Sequence, residues 1–224
     1  MRTQAAAAGS AQAAPSKGLK KRTIVRKVIG VSKGESTRQA VLEQAVEVAS
    51  RLGLSGLTIG SLASQVELSK SGLFAHFKSK EQLQLQVLAY ARESFTDQVV
   101  RPALKAHRGE PRLRELFECW LATSRDSAPG CLFVSAASEF DDQPGPVRDQ
   151  LVRDHKDLDD AIVQMFRAGI SEGHLAEDAD PEQFAHDLNG VMLAYFHAER
   201  LIGDPAAERR TRRAFENLLT NAKS

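Results

Sequence analysis

"TIGSLASQVELSKSGLFAHFKSKEQL", residues 58–83, places three hydroxyl side chains where helices would begin. Thr58 precedes Ile59, Leu62, Ala63 and Val66, a short apolar stripe at helical spacing. Ser69 precedes a segment in which Leu73 and Phe77 stand four residues apart, and Ser79 opens "SKEQ", a capping-box pattern. The spacing predicts a short helix, a tight turn, a second short helix and the start of a longer one. In the second, Leu73 and Phe77 point together into a small core. Lys70, Ser71, Phe74 and Ala75 point away, and a face so small, polar and singly charged can enter a DNA major groove. Gly72 costs about 1 kcal/mol of helix propensity relative to Ala, for which a close approach to another surface is the expected reason. The first turn after Ser79 offers backbone N–H groups beside Lys80, a natural phosphate clamp.

Upstream, "STRQ" at 36–39 is another capping box, and Leu42, Ala45, Ala49 and Leu52 form one stripe, predicting a helix from Ser36 to about Leu52 that "GLSGL" terminates. Two short helices behind a longer one outline a helix-turn-helix. Residues 1–18 are low-complexity and too poor in large apolar groups to offset their ordering entropy, so they read as disordered. The next sixteen, "LKKRTIVRKVIGVSKG", are basic. The formal net charge of +1 conceals an asymmetry: residues 1–35 carry eight Lys/Arg against one acid, whereas residues 84–224 carry 17 basic against 24 acidic residues. One end is fit to face a polyanion that the rest would repel. The segment 1–35 is thus expected to be a basic arm, either solvated or touching DNA phosphates or the minor groove.

The ordered set "GLT" before the second helix, "LSKSGLFAHF" as recognition helix and "KSKEQL" opening the fourth resembles the DNA-binding headpiece of the TetR/AcrR family of bacterial repressors, over residues 36–83. The resemblance implies an all-α homodimer. An N-terminal three-helix helix-turn-helix domain, 36–83, would bind a double-stranded DNA operator, and a helical domain, 84–224, would bind a small-molecule effector and dimerise. Carried over by position, Thr58, Ser69, Lys70, Ser71, Gly72, Phe74, Ala75, His76 and Lys80 form the expected DNA-binding set, with Thr58, His76 and Lys80 on phosphates. Phe74 stands where the family usually has tyrosine, losing one phosphate hydrogen bond, and Glu67 replaces the usual turn glycine. The recognition helix has no Arg, Asn or Gln, so direct base reading is expected to be sparse, with Lys70 to guanine and Ala75 to a thymine methyl as its candidates.

Beyond residue 83 the pattern is helical throughout, over about 80–106, 110–126, 130–140, 146–172, 181–202 and 205–221, with Pro111, Pro129, Pro144, Pro146, Pro181 and Pro205 near the boundaries. Leu113, Leu116, Phe117 and Trp120 form one stripe, and Cys131, Phe133, Ala137 and Phe140 another. In 146–172, Val147, Leu151, His155, Leu158, Ile162 and Phe166 place a histidine on an apolar face. Phe117, Trp120, Phe133, His155 and Phe166 are the candidate effector-binding residues, either plain core or the lining of a partly apolar pocket. Phe184, Leu188, Tyr195 and Phe196, with Ala214, Phe215 and Leu218, are the candidate dimer interface, building a four-helix bundle from two helices of each protomer.

Enzyme readings find little support. Cys119 and Cys131 lack Cys-x-x-Cys spacing, the histidines form no ligand pattern, and no nucleophile elbow, phosphate loop or dinucleotide fingerprint occurs. No catalytic residue, metal or cofactor is expected. Two cysteines, no apolar run long enough for a membrane helix and no export signal point to a cytoplasmic protein. The competing readings are a thiol-based redox sensor or enzyme, and an architectural DNA binder without an effector.

Overall fold

The computed structural model describes residues 33–66, 69–126 and 131–223, among which every regular element is helical. Residues 1–32 of the expected basic arm and Glu67 lie outside the described residues, while residues 33–35, assigned to the arm, belong to the first helix. Helix α1 (Lys33–Leu52) starts a turn before the "STRQ" box, so Ser36 lies within it and is not its cap. It buries Leu42, Ala45 and Ala49 of the stripe the spacing implied, together with Val41 and Val48, whereas Leu52, at the helix end, is exposed. Gly53, at φ +83°, then ends α1 in the left-handed conformation that glycine adopts without cost.

Each of the next three helices opens on the residue expected. For α2 (Ile59–Ala63), Thr58 Oγ1 accepts from the Ser61 N–H at 2.9 Å and Ser61 Oγ from the Thr58 N–H at 2.8 Å, a reciprocal box in which serine replaces the usual glutamate. For α3 (Lys70–Phe77), Ser69 Oγ accepts from Gly72 N at 3.1 Å, and for α4 (Lys80–Phe95), Ser79 Oγ accepts from Gln82 N at 3.1 Å. Lys78, between α3 and α4, has φ +60°, a strained value for a side-chain-bearing residue.

The helix expected over 80–106 is interrupted. After α4 comes a π-helical segment, Thr96–Val100, and then α5 (Arg101–Lys105). Pro102 gives the reason: it has no N–H for the carbonyl four residues back, and its ring crowds that carbonyl, so the helix widens there. There follow α6 (Glu110–Asp126), α7 (Leu132–Phe140), α8 (Pro146–Ser171) and α9 (Pro181–Phe196). A second π-helical segment, His197–Ile202, leads to Gly203 at φ +67° and to α10 (Ala207–Asn221). No helix among the described residues is long and apolar enough to cross a membrane.

Two apolar clusters hold these helices. One joins α6, α8, α9 and α10, where Phe117 stacks on Phe215 at 4.0 Å and Phe166 meets Phe184 at 4.8 Å. Ion pairs fasten the outer side of α6 to α10: Arg114 grips Glu216 at 2.5 and 3.0 Å, and Lys223 reaches Glu110 at 2.8 Å. The other cluster surrounds Leu54, Leu62, Leu73 and Phe77, and it does not stop at residue 83. Leu83, Val87 and Leu88 of α4, Leu132, Ala136 and Phe140 of α7, and Val147 and Leu151 of α8 all belong to it. The headpiece therefore folds against the helices that follow, with a shared core.

Candidate DNA interface and effector cavity

With Leu73 and Phe77 fully buried, α3 turns Lys70, Ser71, Phe74 and Ala75 outward, joined by Ser69 and His76. Phe74 is 57% exposed, a large apolar ring with no place in the core. Lys80 stands exposed in the first turn of α4, as does Lys78 just before it; the sequence reading passed over Lys78, although a cation in the turn after a recognition helix was a signal for it. Thr58 is half-buried and its oxygen is already engaged as the α2 cap. Gly72 has a local explanation: a Cβ there would meet Ser69 Oγ at 3.3 Å and press on the cap of α3. Sequence spacing gathered one cationic, partly apolar surface patch from α3 and the start of α4.

A cavity of about 620 Å³ lies among α4, the first π-helical segment, α6, α7, α8 and α9. Phe95, Trp120, Phe133, Leu158, Val163 and Met192 supply apolar wall. Four of its aromatic side chains touch in series: Trp120 and Phe133 each meet Phe95 edge to face, at 5.7 and 6.5 Å, and His155 meets Phe133 likewise at 6.3 Å. Asp154, Asp157, Asp159, Asp160 and Glu182 place five carboxylates on the wall against the guanidiniums of Arg92 and Arg167. Both guanidiniums are engaged, Arg92 with Asp157 and with Asp154 (3.4 Å), and Arg167 with Glu182 (2.6 Å). Among the described residues, three buried polar atoms of this wall have no hydrogen-bond partner: Trp120 Nε1, Asp154 Oδ2 and His155 Nε2. Burial pushes the Asp154 carboxyl above the ordinary range, opposed by the Gln150 hydrogen bond and the Arg92 charge. A second cavity of about 350 Å³ reaches Glu43, Glu47 and Ser50 of α1 and shares Phe95, Trp120, Cys131 and Phe133 with the first.

Residues 41–87 match the profile of bacterial regulatory proteins of the tetR family, and residues 109–215 match that of the tetracyclin repressor-like C-terminal domain. The chain belongs to the TetR family. It is a DNA-binding transcriptional regulator with an N-terminal helix-turn-helix and a helical C-terminal domain. No curated protein matches it. A TetR-family regulator from Cytophaga hutchinsonii is 18% identical, with TM-score 0.75 over 86% of this chain and 98% of that one. One from Chloroflexus aurantiacus is 22% identical, with TM-score 0.75 over 84% and 94%. AibR, solved in complex with isovaleryl coenzyme A and operator DNA, is 20% identical, with TM-score 0.63 over 83% and 97%. At these identities the likeness shows the shared fold.

Within this TetR-family chain, Trp120, Phe133 and His155 line the cavity, whereas Phe117 and Phe166 do not. The latter two are core residues, stacked on Phe215 and packed on Phe184. An apolar stripe shows which face of a helix is buried; it does not show which buried residues border a void. The proposed dimer residues divide in the same way. Phe184, Leu188, Tyr195, Phe196 and Phe215 are buried in the chain's own core and out of a partner's reach, while Ala214 and Leu218 are half-buried. The apolar groups that α9 and the segment after it leave exposed are Leu193, Leu201 (74%) and Ile202 (64%). Both thiols are discouraged from ionising. Burial and the neighbouring Glu115 push Cys119 up to about 11, and burial pushes Cys131 up. A reactive cysteine needs the opposite shift.

A residue that ties the headpiece to the helices behind it also escaped the sequence reading. Glu139, near the end of α7, accepts hydrogen bonds from Leu54 N (3.0 Å) and Ser55 N (2.7 Å), holding the loop that leads from α1 into α2. A Cβ on Gly53 would lie 2.8 Å from Glu139 Oε1, so a side chain there would push this carboxylate from its place.

Proposed function

We propose that this regulator is a homodimeric repressor that leaves its operator when a small molecule occupies the 620 Å³ cavity. The observation that carries the reading is that two helices each have one end in the cavity wall and the other in the headpiece core. Arg92 and Phe95 of α4 border the cavity while Leu83 and Val87 of the same helix pack under α3. Phe133 and Val134 of α7 border it while Ala136 and Phe140 enter the headpiece core and Glu139 holds the α1–α2 loop. A ligand that shifts either wall moves a recognition helix relative to its counterpart in the dimer. Release requires the ligand to favour the non-binding arrangement, and a coupling of about 1–3 kcal/mol lowers operator affinity roughly 5- to 150-fold.

In this reading residues 36–83 contact DNA and residues 84–224 bind effector and partner, the headpiece core extending past the boundary. Lys70, Ser71, Phe74 and Ala75 face base edges and sugars, and Ser69, His76 and Lys80 face phosphates. Dimerisation uses the outer faces of α9 and α10, with Leu193, Leu201 and Ile202 replacing the buried positions first considered. Sequencing genomic fragments retained by the protein yields the operator, and adding cell extracts or metabolite pools to that complex tests release. The reading requires a palindromic site two half-sites long and a pool that lowers affinity at least fivefold; sequence-independent, ligand-indifferent binding would replace it by an architectural role. Trp120→Leu should keep the dimer and operator affinity yet weaken release, and the chain's single tryptophan should change emission when effector binds.

A further inference from the structure

We infer that the cavity takes a carboxylate-free molecule with a compact apolar body and a hydrogen-bond-donating head, an amine before an alcohol, seated between Trp120 and the Asp154–His155 pair. The inference deepens the effector reading given above and rests on it. Its basis is the set of unpartnered atoms. Trp120, 6% exposed, and Asp154, 7% exposed, each bury a polar atom that no group among the described residues satisfies. An unmet buried donor or acceptor costs roughly 1–3 kcal/mol, more when the group is charged, and folded chains seldom keep several in one cavity wall.

Their chemistry differs along the wall. The indole Nε1–H only donates, and so requires an acceptor; the Asp154 oxygen only accepts when ionised, the form that a cationic partner favours against burial, and so is matched best by a charged donor. Between them lie the rings of Phe95 and Phe133, with His155 at the Asp154 end. The matching molecule is apolar in the middle, with an oxygen or nitrogen lone pair toward Trp120 and an N–H or O–H toward Asp154. A protonated amine at the second end also meets the field of five wall carboxylates, whose two guanidinium neighbours are already paired. Among the described lining residues both guanidiniums are already paired, so an anionic ligand is left with only the imidazoles of His155 and His186, and its carboxylate would confront Asp154. This chain should therefore not take an acyl-coenzyme A of the kind bound by AibR.

The test uses three molecules of one shape that do not absorb with tryptophan, each carrying a ring hydroxyl whose oxygen can accept from Trp120 Nε1–H: 2-(3-hydroxy-1-adamantyl)ethylamine, 2-(3-hydroxy-1-adamantyl)ethanol and (3-hydroxy-1-adamantyl)acetate. Binding to the full chain without DNA is read by calorimetry and by Trp120 emission. The amine is expected to bind about tenfold more tightly than the alcohol, the scale of one charge-assisted hydrogen bond, and the acetate more weakly than either. Asp154→Asn, which preserves shape, should cut the amine's advantage over the alcohol to under about threefold while raising the thermal midpoint of the ligand-free protein. Equal or tighter binding of the acetate, binding of none of the three, or an amine preference that survives Asp154→Asn overturns the assignment. Operator release is scored separately: a probe that binds as expected but leaves DNA binding unchanged counts against the effector reading alone.

Discussion

Replacing Glu139 by alanine should loosen the headpiece from the helices behind it. The carboxylate accepts two backbone N–H groups, from the fully buried Leu54 and the exposed Ser55, at 3.0 and 2.7 Å. A hydrogen bond to a charged acceptor contributes about 1.5–3 kcal/mol where water cannot replace it and well under 1 kcal/mol where it can. The Leu54 N–H sits in the first class and the Ser55 N–H in the second, giving a loss of about 2–3 kcal/mol. For a chain of this length that is a fall of roughly 5–10 °C in the thermal midpoint. Urea denaturation followed by circular dichroism gives the same quantity, and an unchanged m-value identifies it as stability and not denatured-state compaction. Glu139→Gln, which keeps one acceptor oxygen, should lose about half as much. The reasoning fails if alanine costs under about 0.5 kcal/mol, or if glutamine costs as much as alanine. Because the loop leads directly into α2, operator affinity should fall with stability, and effector release should fall further than affinity does.

The other predictions are quicker to state. Lys80→Ala should weaken specific and non-specific DNA binding alike and reduce the slope of log affinity against log salt by about one per protomer; an unchanged slope removes Lys80 from the interface. Removing residues 1–34 should lower affinity for any duplex, most at low salt, and leave oligomeric state and thermal midpoint unchanged; identical low-salt affinity would make the arm a mere solvated tail. Lys78→Gly, relieving φ +60°, should stabilise the fold by about 1 kcal/mol in denaturant titration while removing a cation from the DNA face. Glu110 and Glu216 are both held below the ordinary glutamate value of 4.5; burial opposes the shift at Glu110, where Lys223 and Arg114 outweigh it, and Arg114 is the chief cause at Glu216. Since the folded-state values are the lower ones, their stabilisation is complete above about pH 4.5 and lost as pH falls through those values. Protection of α10 amides against hydrogen exchange should drop in that window, and a drop confined to higher pH would refute the assignment.

How much of this was legible beforehand varied with the range of the interaction. Thr58, Ser69 and Ser79 announce their helices because a cap bonds a backbone N–H two or three residues away, so the signal is local. Pro146 and Pro181 mark helix starts for the same reason. Pro102 carried an equally local signal, inside a segment otherwise periodic enough to pass for one unbroken helix. Glu139 had none: its partners are 84 and 85 residues away, and an acid near a helix end reads as solvated. Asp154 was hidden similarly, being one charged residue beside the apolar stripe of α8. Phe184 and Phe215 looked like interface because two apolar faces exceed one helix's obvious needs; what consumed them was a neighbouring helix of the same chain.

Phe95, Trp120 and Phe133 line both cavities and so stand between them as a partition. Turning Phe95 aside forfeits its edge-to-face contacts with Trp120 and Phe133, at about 0.5–1.5 kcal/mol each. A compact guest in the larger chamber has no reason to meet that cost and leaves α1 untouched. An elongated one can push through to Glu43, Glu47 and Ser50, which line the smaller chamber from the headpiece side. On the effector reading proposed above, two molecules of equal affinity would differ in what the operator registers, the shorter one acting through α4 and α7 alone and the longer one adding direct pressure on the first helix.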